Sequence, residues 1–130
     1  MSTVQVRSIG EVSPLPRSRW LLPAAVALAI LAATSWPSPP ALPNQSDKLV
    51  HFSSYALLGG SVAWAAGWRR LRRVMAWVCL LTLLGALDEW HQQFIPGRRM
   101  DVRDWVADTA GAVTGLFLVT ALARRRESVA

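Results

Sequence analysis

Cysteine is all but missing from this 130-residue chain, and lysine occurs once among fourteen basic residues. The lone Cys79 excludes a disulfide within the chain and a cysteine metal cluster, and its place in an apolar run makes it a lipid-facing or packed thiol. A His-Glu-x-x-His zinc spacing is absent too, so neither a metal nor a cofactor is assigned. A divalent ion stays open only should Asp47 and Asp88 or Asp108 converge with His51 and His91. The basic residues that do occur, thirteen of them Arg, sit in short clusters at the edges of apolar segments. A nucleic-acid surface would interleave them along a polar groove, so nucleic acid is not an expected partner.

What the chain has in quantity is apolar surface: 52% hydrophobic residues, seven Trp and a positive mean hydropathy. That composition points to the lipid bilayer as partner and solvent. Residues 1–18 lack apolar periodicity and read as a disordered cytoplasmic tail. An uncharged stretch over 20–36, with Trp at both ends, is just long enough to span. Arg17 and Arg19 ahead of it leave a cleaved signal peptide as the alternative. Four Pro between Pro37 and Ser46 make an extended linker. Further helices are expected over 47–68, 74–94 and 105–123, with Ser46 or Asp47 placed to cap the second and Ile95-Pro96-Gly97 ending the third. Residues 124–130 make a basic cytoplasmic tail. The expected fold is all-α, an integral membrane four-helix bundle whose transmembrane domain covers 20–123.

With four spans both termini share one side, and that side carries ten basic residues against four. The positive-inside rule then puts both termini in the cytoplasm of a multi-pass plasma-membrane protein. Six of the eight acids fall toward the outward end: Asp47, Asp88, Glu89, Asp101, Asp104 and Asp108. At 1.5 Å per residue, Asp88 lies about 22 Å from Arg73 and Asp108 about 24 Å from Arg124, against a hydrocarbon core about 30 Å thick. Both therefore sit below the surface, where an ionisable group is costly unless paired or hydrated. Snorkelling of an interfacial acid is the plainer reading for Asp104 or Asp47.

Helical spacing gathers these groups. Asp47, His51 and Tyr55 at i, i+4 and i+8 line one face and could relay a proton. Asp88 falls beside His91 and Gln92, and Glu89 beside Gln92 and Gln93. Asp104, Asp108, Gly111 and Gly115 share a face whose two glycines have small-xxx-small spacing. His51, Asp88, Glu89 and His91 are the candidate catalytic groups. Asp47, Tyr55, Gln92, Gln93, Arg98, Asp101, Asp104 and Asp108 are the candidate ligand-binding groups.

Asp47-Lys48-Leu49-Val50-His51-Phe52 with Tyr55, the run Asp88-Glu89-Trp90-His91-Gln92-Gln93-Phe94-Ile95-Pro96-Gly97-Arg98, and Asp101, Asp104 and Gly111 together resemble the VanZ-like family over about residues 20 to 122. The resemblance implies a group named for low-level resistance to teicoplanin, a lipoglycopeptide that binds peptidoglycan precursor. One departure stands out: Asp108-Thr109-Ala110-Gly111 replaces the usual Asn-x-x-Gly, adding a charge that bears on protonation or cation affinity. Three readings follow. The outward pocket engages a lipid-linked wall precursor or lipoglycopeptide, with Arg98 and Arg99 for phosphate or carboxylate. Alternatively His51 with Glu89 or Asp88 performs acid–base chemistry on a lipid phosphoester or acyl bond. Or the layer holds the bundle together through ion pairs, such as Arg98 or Arg103 with Asp88 or Asp104. Oligomeric state has no signal in the sequence.

Overall fold

The computed structural model describes residues 16–38, 46–67 and 71–129, which form four α-helices and no strand. Most of the expected N-terminal tail and most of the proline-rich linker lie outside the described residues. A 3-10 turn at Arg17–Trp20 leads into α1, Leu21–Thr34. Pro23 sits in the first helical turn, where its missing N–H costs nothing. The helices α2 (Ser46–Ala66), α3 (Leu71–Gln92) and α4 (Val102–Val129) follow. Gly67 closes α2 at φ 57°, its N–H donating to the Ala63 carbonyl.

Two ends differ from the apolar pattern. α4 starts at Val102 because Asp101 caps it, its Oδ1 accepting the Arg103 N–H at 2.8 Å. It then runs on to Val129, since no Gly or Pro interrupts Arg124, Arg125 and Arg126. α3 stops at Gln92, and a tight turn follows in which the N–H groups of Phe94, Ile95 and Arg98 bond back three residues. Gly97 in that turn has φ 80° and lies against Ser38, whose N–H reaches the Pro96 carbonyl at 2.9 Å. The end of α1 is thereby tied to the end of α3.

Among the described residues three stretches are long and apolar enough to cross a membrane: Arg17–Thr34, Arg72–Gln92 and Val102–Arg126. The four expected helices are all present, and α2 has the least apolar stretch of them by composition. That helix is 21 residues, about 31 Å, but Asp47, Lys48, His51 and its Ser and Gly residues lower its hydropathy. It can afford polarity because it lies inside: Tyr55, Leu58 to Ala63 and Ala65 are buried. Its closest partner is α4, where Gly111 and Gly115 meet Phe52, Ala56 and Gly60 backbone to backbone, and Gly59 meets Ala112. Val74 and Leu81 of α3 and Leu116 of α4 complete the core. Large apolar side chains such as Leu28, Leu57, Leu83 and Leu118 face outward, as a lipid solvent requires.

Candidate functional site

All the polar machinery lies at the end of the bundle where α2 and α4 begin and α1 and α3 finish. The first turn of α2 supplies Lys48, whose Nζ donates to Asp104 Oδ1 at 2.6 Å, Asp47 Oδ2 at 3.0 Å and Asp101 Oδ2 at 3.1 Å. One ammonium thus joins α2 to the start of α4. The Arg103 N–H and the Lys48 ammonium together hold the Asp101 carboxyl below the usual carboxylate range.

One helical turn deeper, His51 Nδ1 lies 3.0 Å from Asp108 Oδ1 and 3.9 Å from Glu89 Oε1, while Nε2 is 4.0 Å from Asp104 Oδ2. With an ionised Asp108 the Nδ1–H donates, which orients the ring and leaves Nε2 as the free nitrogen. Glu89 and Asp108 are 2% and 0% exposed, so each charge depends on protein partners. Glu89 accepts from Gln92 Nε2 at 3.0 Å and from the Asp101 N–H at 2.9 Å. Asp108 Oδ2 is buried without a hydrogen-bond partner.

A second cluster faces α1. Asp88 Oδ1 accepts from Thr34 Oγ1 at 2.7 Å, Asp88 Oδ2 is buried without a partner, and His91 Nε2 lies 3.1 Å from Ser35 Oγ. Asp88 and His91, with Tyr55, close the polar end of a pocket of about 230 Å³ otherwise lined by Ala27, Leu28, Ile30, Leu31, Leu58, Leu84 and Leu87. A smaller one, about 90 Å³, is bordered by His51, Ser54, Tyr55, Thr34 and Arg98. Tyr55 forms part of both walls.

The four candidate catalytic groups therefore divide into His51 with Glu89 and, across α3, Asp88 with His91. The His51 hydrogen bond runs across to α4 and that of Asp47 goes to its neighbour Lys48, so neither follows the α2 stripe toward Tyr55. Gln92 bridges Glu89 to Arg98, whose Nη1 donates to Gln92 Oε1 at 3.1 Å, whereas Gln93 is exposed and joins neither cluster. Arg98 Nε and Nη2 donate to the carbonyls of Trp36 and Ala33, at 3.1 and 2.7 Å, so this side chain clasps the end of α1. Asp104 finds its cation in Lys48 rather than in Arg98 or Arg103, and snorkelling does not describe it. Sequence reasoning assigned no site role to Lys48, Thr34 or Ser35. The Asp-Lys-x-x-His opening was the one signal for Lys48, and the α1 pair had none.

Membrane-length helices around buried carboxylates and an imidazole define a multi-pass membrane protein with an ionisable cluster inside its bundle. The family model of VanZ/LLP1 matches residues 9–123, and the chain belongs to that family. No curated protein and no solved structure matches it.

Proposed function

We propose that this VanZ-family protein sits in the plasma membrane with its polar end outward and holds an amphipathic envelope ligand there, a lipid-linked wall precursor or a lipoglycopeptide of the teicoplanin kind. The observation that carries this reading is the pocket of about 230 Å³, apolar along α1, α2 and α3 and ending at Tyr55, Asp88 and His91. An acyl or prenyl chain suits the apolar wall, and a head group then lies at the level of His51, Arg98 and Lys48. Binding of teicoplanin and of a polyprenyl phosphate to the full chain in nanodiscs tests it. Leu84→Trp should fill the pocket and weaken binding without unfolding the bundle. Undiminished binding by a folded Leu84→Trp protein defeats the assignment.

The 3.0 Å contact of His51 with Asp108 favours a second reading, in which the site turns its ligand over. An imidazole oriented through Nδ1 can take or give a proton at Nε2, which supports acid–base chemistry on a phosphoester or acyl bond. Release of product from polyprenyl phosphate by wild type, and none by His51→Ala or Glu89→Gln, is the expected result. Equal release by all three rules the chemistry out.

A further inference from the structure

With its carboxylates ionised, the polar end would carry more negative charge than its cations neutralise. Lys48 is shared among Asp47, Asp101 and Asp104, and Arg98 is turned to α1 and Gln92. Glu89 and Asp108 are left with His51 between them, and no lysine or arginine bonds to either carboxylate among the described residues. Two ionised carboxylates in a low-dielectric bundle with one imidazole would be electrically unbalanced, so they call for a proton or a bound cation.

We propose that His51, Glu89 and Asp108 bind one divalent cation of the manganese or zinc type. Each offers one donor atom, from three different helices, and the three atoms lie within 4.8 Å of one another. Small side-chain rotations bring such a set to the ~2.0–2.2 Å at which imidazole nitrogen and carboxylate oxygen bind a cation of this kind. The mixed nitrogen and oxygen set suits manganese or zinc better than calcium, whose ligands are oxygens alone. A neutral imidazole and two carboxylates balance a double positive charge with nothing left over.

A second observation points to the same place. Asp108 is fully buried, yet its Oδ2 has no hydrogen-bond partner, so the innermost carboxylate holds an unused acceptor. Gly85 of α3 leaves it room: a Cβ there would stand 3.6 Å from Oδ2 and 3.3 Å from the Asp108 Cβ. Loading gives up the His51–Asp108 hydrogen bond, so the acid–base chemistry described above belongs to the metal-free protein. The site itself does not depend on which amphiphile fills the larger pocket.

The test is titration of the chelator-treated full chain in nanodiscs with Mn²⁺, followed by the loss of the free-ion electron paramagnetic resonance signal. The expected result is one Mn²⁺ per chain, displaced by Zn²⁺, with a nitrogen coupling that disappears in His51→Gln. Glu89→Gln and Asp108→Asn should each weaken binding by about tenfold or more, while Cys79→Ala, on an exposed face away from both clusters, keeps it. Size exclusion and thermal unfolding identify any variant that fails to fold, and the nitrogen coupling of wild type decides the matter by itself. A folded wild type that takes up no Mn²⁺, or binds it without nitrogen coupling, overturns the proposal.

Discussion

Lys48 is the residue on which the polar end turns, since its ammonium is the cation that bonds to Asp47, Asp101 and Asp104 at once. Its side chain is 21% exposed and that of Asp104 13%, so the pair is only partly shielded by protein. Removing one partner of a fully buried pair costs about 3–5 kcal/mol, and the partial exposure here lowers that to roughly 1–3 kcal/mol. Lys48→Met should therefore lower the thermal midpoint in detergent, and Asp104→Asn in the same background should restore part of the loss. Its partners Asp101 and Asp104 lie more than fifty residues along the chain, which is why spacing alone does not expose this role. The pair Asp88 and Glu89 shows the opposite limit. Neighbours on a helix point about 100° apart, so these two acids, adjacent in sequence, enter different clefts. Sequence placed Asp88 with His91 correctly on one face, but which neighbouring helix that face meets is a tertiary fact.

At the scale of elements, the α2–α4 contact fixes the depth at which His51 meets Asp108. A Cβ at Gly111 would overlap the Phe52 carbonyl oxygen, and one at Gly115 would overlap that of Ala56. Backbone cannot yield as a side-chain tip can, so Gly115→Val should abolish the folded monomer peak in size exclusion. Gly60→Ala is the graded comparison, because its Cβ meets the Val119 Cγ2 at 3.2 Å, a side-chain atom that can shift. That variant should fold with a modestly lower midpoint; equal stability of the two would show that the helices are not held at backbone contact. The small-xxx-small spacing made the α4 half of this seam legible beforehand. The α2 half was obscured, because apolar and small residues read alike as lipid-compatible, and burial behind α1 and α4 leaves no separate mark in the sequence.

For the whole molecule, the arginine bias is the clearest written signal, since four spans would put ten basic residues on one side and four on the other. Orientation follows from it as a prediction. In a Cys79→Ala background, a cysteine at Arg99 should react with a membrane-impermeant maleimide added outside intact cells, and one at Ser128 should react only after permeabilisation. The reverse pattern would turn the bundle over and place the pocket inward. Helix number and family motifs were likewise legible, whereas the division into two clusters arises from how α1 leans on α3 through Thr34, Ser35 and Arg98. The polarity of α2 carries a consequence for how the protein is made. The partner helix α4 follows more than thirty residues later in the chain, so α2 is made before the surface that buries it. Until α4 emerges, the face of α2 that packs on Gly111 and Gly115 stays uncovered, so the expected order of assembly has α2 settle only after α4 is made.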